Sequence, residues 1–297
     1  MNAVNTKDIL KKVRRIEIKT RGLVNNVFSG EYHTVFKGRG MSFSEVREYQ
    51  FGDEIRFIDW NVSARMERPY VKVFEEEREQ TLMILFDASA SGNFGTFRQM
   101  KRELMVEMAA LIAFSAIKNN DKVGLLIFTD RIEKFIPPKK GKSHVLRLIR
   151  EILGFTPTHK GTNITAALEY TRHVLNRRSI VFLMSDFVDD RFEKPLRTVA
   201  KKHDLIGIRV FDRRERDMPN VGLMTLQDEE SGEWIEVDTS SAVFLQHLRK
   251  NVQEWTKKQD LLFRKSRVDL IEVSTGSDFV ESLIRFFETR EKRLRHG

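Results

Sequence analysis

"LMILFDASASGNFGTF", residues 82–97, is the stretch on which the fold turns. Leu82, Ile84, Leu85 and Phe86 make an apolar run with no polar side chain to face water, the pattern of a strand buried on both faces. The run stops on Asp87, Ser89 and Ser91, three oxygen-bearing side chains at alternate positions, and Gly92 and Gly95 follow. A core strand that ends in a carboxylate and two hydroxyls raises the question of what those groups converge on.

The same pattern recurs outward from this stretch. A helix is predicted from about residue 97 to 119, where Met100, Leu104, Met108, Leu111, Ile112 and Ser115 keep helical spacing. Strand "KVGLLIFT" follows, then a short strand "IEKFIPP" closed by prolines. "KSHVLRLIREILGF" reads as a helix ending at Gly154, "NITAALEYTRHVLNRR" as a second helix, "SIVFLMSDF" as a strand, "RFEKPLRTVAKKH" as a helix and "DLIGIRVF" as a strand. "GLMTLQDEESGEWIEVD" reads as a hairpin turning at Ser231 and Gly232, inserted at about 222–238. A helix from about 241 to 265, strand "VDLIEVS" and a last helix complete the chain.

Apolar strands separated by amphipathic helices specify an α/β fold, a doubly wound, mostly parallel sheet with helices on both faces. Such sheets carry their ligand sites at the carboxyl ends of the strands. Residues 1–80 read as a separate part. A basic helix with Ile9, Leu10, Val13 and Ile16 on one face comes first, and a β-rich extension leads into the α/β domain of residues 81–297.

Of the 297 residues, 40% are hydrophobic and 32% charged, which places the chain among folded globular proteins. It has no cysteine, so disulfides, thiolate metal sites and a cysteine nucleophile are excluded, and a reducing compartment fits. The opening "MNAVNTKDILKKVRRIEIKT" has no apolar core of a secretory signal, and "ELMVEMAALIAFSAI" is interrupted by Glu103 and Glu107, so a cytoplasmic location is expected. The net charge is +9 and is concentrated at the ends, in Lys7, Lys11, Lys12, Arg14, Arg15, Lys19 and Arg21, and again in Arg290, Lys292, Arg293, Arg295 and His296. Nucleic-acid binding is the alternative this raises, but no recognition-helix, zinc-finger or aromatic RNA-binding pattern accompanies the charge. Solvated helix faces are the simpler reading.

Two further strand ends complete a constellation. Thr162 lies in the turn of "KGTNITAAL", just before a helix, and Asp186 ends "IVFLMSDF". One sheet edge therefore presents Asp87, Ser89, Ser91, Thr162 and Asp186, an all-oxygen set with two carboxylates. Hard divalent cations, magnesium above all, prefer such donors, whereas zinc would want cysteine or paired histidine. Taken singly, the serines and Thr162 could cap helices and Asp186 could start a turn. Their joint occurrence, in this order and at strand ends, points to a metal.

"DASAS", "GTN" and "SD" together resemble the metal-ion-dependent adhesion site of von Willebrand factor type A domains. "GRGMSFSEVREYQFGDEIRFIDWNVSARMERPYVKVFEEEREQ" and "FDRRERDMPNVGLMTLQDEESGEWIEVDT" resemble the bacterial family called domain of unknown function 58, and the likeness runs from about Gly22 onward. The resemblance implies a von Willebrand A-like domain with an added β-rich part. It also implies a setting beside MoxR-type AAA+ ATPases, in the assembly or activation of other complexes, and no enzyme activity is established for the family. It further implies that Ser89 and Ser91 ligate Mg2+ or Mn2+ through their hydroxyls, that Thr162 does so in one state, and that Asp87 and Asp186 act mostly through water. Neutral donors leave the cation electron-poor, so an open position takes an acidic residue of the MoxR-type ATPase or of its client. The chain departs from the common pattern in "KGTN", where many relatives have a second glycine, and in "SDF", where many have Asp-Gly.

The competing class is an enzyme. Phosphatases of the haloacid-dehalogenase type also use a strand-end Asp and an acidic cluster on magnesium, which Asp186, Asp189 and Asp190 of "SDFVDD" would imitate. They usually place an acid/base Asp two residues after the nucleophile, where this chain has Ser89, a poor proton donor at neutral pH. His159 is a lone loop histidine near Thr162, and such residues are more often structural than catalytic. In "GDEIRFIDW", the mixed charges and tryptophan could make a partner surface, but Asp53, Arg56, Asp59 and Trp60 are expected rather to form an Arg–Asp network with a packed Trp that joins the amino-terminal region to the core. "GRGMSF" lacks the third glycine of a dinucleotide fingerprint, and "SGNFGTF" lacks the Gly-Lys-Ser/Thr of a P-loop.

Overall fold

A computed structural model of the chain describes residues 6–24, 32, 35–36, 40–77, 79–95, 99–227 and 232–296. The elements are α1 (Thr6–Leu23), β1 (Gly40–Glu48), α2 (Trp60–Met66), β2 (Tyr70–Glu77), β3 (Thr81–Asp87), α3 (Lys101–Lys118), β4 (Lys122–Phe128), β5 (Ile132–Lys139), α4 (Lys142–Gly154), α5 (Ile164–Val174), β6 (Ile180–Ser185), α6 (Glu193–Lys202), β7 (Asp204–Phe211), α7 (Arg213–Arg216), β8 (Leu223–Gln227), β9 (Trp234–Asp238), α8 (Ala242–Ser266), β10 (Asp269–Ser274) and α9 (Phe279–His296). They form two compact units, residues 1–35 with 81–297, and residues 36–80.

This division differs from the expected one in the first helix. α1 belongs with the α/β unit because its apolar stripe is used there. Val13 and Ile16 are buried, and the helix packs on α3 and α4. Ion pairs fix it, from Lys12 to Glu103 (3.3 Å), from Lys19 to Glu107 (2.6 Å) and from Lys142 to Glu17 (2.5 Å). Part of the basic charge at the amino end is thus engaged within the unit. At the other end Arg293 pairs with Asp269 (2.9 Å) and Arg290 with Asp204.

The six-stranded sheet of this unit has the order β10-β7-β6-β3-β4-β5 and is parallel except for β5, which runs antiparallel to β4. β3 leads the chain into the sheet with β4 on one side and, after β5, β6 on the other. The order of strands therefore reverses at β3, and a crevice opens at the carboxyl ends of β3 and β6. The apolar run is as buried as its sequence demands, with Leu82 to Phe86 at most 2% exposed. Pro137 and Pro138 lie on the edge strand β5, where a missing N–H leaves an unpaired edge rather than breaking an internal ladder.

α3 is not the amphipathic helix its spacing predicts. Every residue from Leu104 to Ala113 is buried or half-buried, because the sheet lies on one side and α1 and α4 on the other. It begins at Lys101, and the expected start near residue 97 lies outside the described residues. α5 stops at Val174, short of the expected "LNRR", and the Leu175 carbonyl is taken by Lys202 Nζ at 2.8 Å. β8 and β9 form the expected antiparallel hairpin, Leu223 opposite Asp238, and Ser231 of its predicted turn lies outside the described residues. Among the described residues no helix is long and apolar enough to cross a membrane.

Gly207 of β7 marks a tight helix–sheet contact. A Cβ there would stand 2.6 Å from Phe263 Cε1 of α8 and 3.1 Å from Leu270 Cδ1 of β10. Gly207→Ala is expected to cost about 1–3 kcal/mol through overpacking, read as a lower melting temperature. An unchanged melting temperature would mean that Phe263 has room to turn aside.

Residues 36–80 pair β1 with β2 antiparallel, with a register shift between Phe43 and Glu45. Arg47 grips Asp53 with two bonds of 2.8 and 2.7 Å, and Asp59 caps α2 by accepting from the Asn61 and Val62 amides at 3.0 and 3.2 Å. The expected network is corrected here. Arg56 pairs with Glu54, Asp59 with Lys72 (3.3 Å), and Trp60 is 68% exposed rather than packed. Capping by Asp59 makes Trp60 the first residue of α2. Phe51, Ile55 and Met66 of this unit are also exposed.

Candidate metal centre at the strand switch point

β3 delivers Asp87 to the crevice as its last residue, and β6 delivers Asp186 one residue past its end. Asp87 is 3% exposed and accepts from the Ser89 amide at 2.9 Å and from Ser185 Oγ at 2.5 Å. The first bond folds the chain back after the strand into a short 3-10 turn, Ala90–Asn93. The turn brings Ser89 Oγ and Ser91 Oγ to 3.0 Å from each other. Ser89 makes no side-chain capping bond to that turn, and the N-cap position of α3 is Met100, which makes no side-chain capping bond, so the serines do not serve as caps.

The N-cap of the next helix is Asn163 rather than Thr162. Asn163 caps α5 by accepting from the Ala166 amide at 2.9 Å, and Asp189 takes the Ile164 amide at 3.0 Å. The loop bearing Thr162 is held on both sides. Glu133 accepts from Thr158 Oγ1 (2.9 Å) and from the His159 amide (3.3 Å), and the Ala90 amide donates to the Lys160 carbonyl at 2.9 Å. The last bond ties this loop directly to the turn carrying Ser89 and Ser91.

Asp87, Ser89, Ser91 and Asp186 line a single space of about 10 Å³, room for about one water molecule or ion. Thr162 is not among its lining residues; its loop adjoins the turn beside it. Burial, and then the neighbouring Asp186 charge, push the Asp87 carboxyl up to about 7, against the lowering effect of its bonds to Ser185 and Ser89. Two carboxylates and two hydroxyls around a volume of this size fit a small hard cation. Among the described residues no three His, Cys, Asp or Glu side chains gather as a metal cage, so hydroxyl oxygens have to supply part of any coordination shell.

Three participants escaped the sequence reading. Ser185, the serine of "SD", orients Asp87 through its hydroxyl, which also accepts from the Phe187 amide at 3.0 Å. Lys101, the first residue of α3 and 2% exposed, also lines the space. Its Nζ donates to Asp186 Oδ2 at 3.1 Å and to Glu215 Oε1 at 2.6 Å. Burial works against this ammonium, but the charges of Asp186 and Glu215 and its bonds to both hold its pKa above the ordinary lysine value. Glu215 is fixed in turn by a capping box with Asp212, whose amide donates to Oε2 at 2.8 Å. The Asp-x-x-Glu spacing was the local signal for that box.

Phe187, next in the chain after Asp186, has a φ of +61°, in the left-handed region that glycine favours. A bulky residue holds that conformation at a cost of about 1–3 kcal/mol only when its surroundings fix it. Here the ring is fully buried against Phe263 (5.0 Å between centroids) and Phe192 (5.9 Å). The backbone carrying Asp186 is therefore anchored from the core.

The acidic cluster required by the phosphatase alternative does not assemble at this space. Asp189 is spent on the amides of Ile164 and Arg191, and Asp190 pairs with Lys258 at 2.8 Å. His159 faces Asp130 at 3.8 Å.

The "Uncharacterized protein Rv1480" of Mycobacterium tuberculosis is 29% identical over 283 residues, covering 94% of this chain and 89% of that protein. Among solved structures, the conserved hypothetical protein BatB from Bacteroides thetaiotaomicron aligns over 72% of this chain and 99% of its own, with 13% identity and a TM-score of 0.48. The SpRpn10 VWA domain aligns over 70% and 94%, with 14% identity and a TM-score of 0.40. The sequence-family model described as "Protein of unknown function DUF58" matches residues 45–260, a span that takes in most of the 36–80 unit and every residue of the strand-end constellation, and the chain belongs to that family.

Proposed function

We propose that the chain is a non-enzymatic, metal-dependent protein-interaction module. Asp87, Ser89, Ser91 and Asp186, with Thr162 on the adjoining loop, would hold Mg2+ or Mn2+. The observation that carries this reading is the convergence of two strand-end carboxylates and two hydroxyls, none of them used as a helix cap, on one ion-sized space at the switch point. When bound, such a cation supplies a Lewis-acidic position for a carboxylate. The protein's own part is to hold the donors still. Ser185 orients Asp87, the buried Phe187 ring anchors Asp186, and Glu133 and Ala90 tether the Thr162 loop. The exposed side chains of Met100 and Val188, each within two residues of a residue lining the space, give the rim an apolar component.

The partner we propose is a MoxR-type AAA+ ATPase or its client, engaged through an acidic residue, and the setting we propose is cytoplasmic. These rest on the family resemblance and on a chain without cysteine. A second reading places docking within residues 36–80, where Phe51, Ile55, Trp60 and Met66 are each exposed large apolar side chains.

The test uses the purified chain and the MoxR-type ATPase of the same host. At tenfold excess over its dissociation constant, Mg2+ should stabilise the wild type by about 1.4 kcal/mol, and Ser89→Ala should remove the response. That gain corresponds to about 2–5 °C in melting temperature for a unit of this size. ATPase binding should fall in chelator and in Ser89→Ala and Thr162→Ala. Equal binding under all these conditions would move docking to the 36–80 surface.

A further inference from the structure

The Lys101 contacts call for an explanation. A lysine at the first position of a helix sits against the positive end of the helix dipole, and burying its ammonium costs hydration. Lys101 does both, at 2% exposure. It is held there by two carboxylates from distant parts of the chain, Asp186 at 3.1 Å and Glu215 at 2.6 Å. Asp186 also lines the ion-sized space, as Lys101 itself does. Glu215 does not line it, and its other oxygen is occupied by the Asp212 amide. The ammonium is therefore shared between one carboxylate that the space needs and one that it does not.

We propose that Lys101 is a built-in cation that competes with a divalent ion for Asp186, so that Asp186 is released to the metal only as the lysine withdraws onto Glu215. This rests on the reading of Asp87, Ser89, Ser91 and Asp186 as metal donors. A fixed positive charge beside the space weakens divalent binding through repulsion, and through its hold on one of the two anionic donors. Glu215 works in the opposite direction, because it offers the ammonium somewhere else to go. The arrangement makes metal occupancy weak and conditional in the free protein. It also couples occupancy to the position of α7, which carries Glu215 at the end of β7.

The experiment is calorimetric titration of the full chain with MgCl2, and separately with MnCl2, for the wild type, Lys101→Met and Glu215→Gln. Methionine keeps the unbranched apolar stem, one atom shorter, and removes the charge. Glutamine keeps the capping bond to the Asp212 amide but no longer balances the ammonium. Lys101→Met should bind at least tenfold more tightly than wild type, although its metal-free melting temperature should fall because Asp186 and Glu215 lose their partner. Glu215→Gln should bind at least threefold more weakly, and this gives an independent reading if Lys101→Met fails to fold. Binding by Lys101→Met where the wild type shows none would also support the proposal. Wild-type binding that Lys101→Met leaves unchanged or weakens, or that Glu215→Gln strengthens, would overturn the competition alone. No binding of either metal by any of the three would overturn the metal reading itself.

Discussion

In chelator at pH 8, Asp87→Asn melts above the wild type, by about 6–12 °C for a gain of about 3 kcal/mol. The gain follows from the position of the Asp87 carboxyl, pushed up to about 7 from its ordinary 3.8, by burial first and by Asp186 second. A carboxyl whose folded-state value is raised lends its full stability below the unfolded value. It loses that stability as pH rises through the folded value. Between pH 4 and pH 8 the loss is on the order of 4 kcal/mol. Asparagine carries no charge at any pH and can still accept from the Ser89 amide. Losing the carboxylate that Ser185 donates to returns about 1 kcal/mol of the gain. The gap should close on acidification, and near pH 4 the variant should melt slightly below the wild type, by about 1 kcal/mol for the lost Ser185 bond. Saturating Mg2+ should narrow the gap at pH 8, because only the wild type responds. A variant that melts below the wild type in chelator at pH 8 would show that the metal-free site carries no strain.

The second large effect lies near the opposite end of the sheet. His203, between α6 and β7, is 3% exposed, and neither ring nitrogen has a hydrogen-bond partner among the described residues. Burial, and then the charge of Lys202, depress its pKa from 6.5 to about 4. The folded state thus keeps this ring neutral over a range in which the unfolded chain takes up a proton. Its contribution is intact above pH 6.5 and drains away as pH falls, levelling out near pH 4, with a total of about 3 kcal/mol. Acidification acts on Asp87 with the opposite sign, so the two effects partly cancel in the wild type. The measurement therefore compares Asp87→Asn with Asp87→Asn/His203→Leu from pH 7.5 to 4. The single variant should lose about 3 kcal/mol more than the double variant on acidification, and parallel profiles would show that His203 gains a proton freely in the folded protein.

The strands were legible because each is an apolar run closed by turn or polar residues, so β3, β4, β6, β7 and β10 fall where the sequence places them. The helices were less so. α3 has helical spacing, but what lies on its outer side is α1, from a stretch that reads as part of another region, and local periodicity carries no information about such a cover. The strand-end oxygens were legible for the same reason as the strands, since the last residue of a parallel strand has only one edge to occupy. Lys101 was not, because its partners lie 85 and 114 residues away and its own neighbourhood, "QMKREL", is that of any solvated helix start. Phe187 was visible as a departure from glycine. Its left-handed backbone, and the aromatic packing that holds it, belong to tertiary structure.

The place of β3 at the reversal of strand order has a consequence for the moment at which the site comes into being. β3, β4 and β5 are near neighbours in the chain and pair with one another, whereas Ser185 and Asp87 are 98 residues apart. During synthesis Asp87, Ser89 and Ser91 emerge first and can be ordered by their neighbours. Asp186 arrives only when β6 docks on the other side of β3, a closure that pays the entropy of a long loop. A nascent, truncated or partly unfolded chain therefore carries Asp87, Ser89 and Ser91 without the second carboxylate. On the docking reading, a partner that engages this face selects chains whose sheet is complete, so recognition doubles as an inspection of folding.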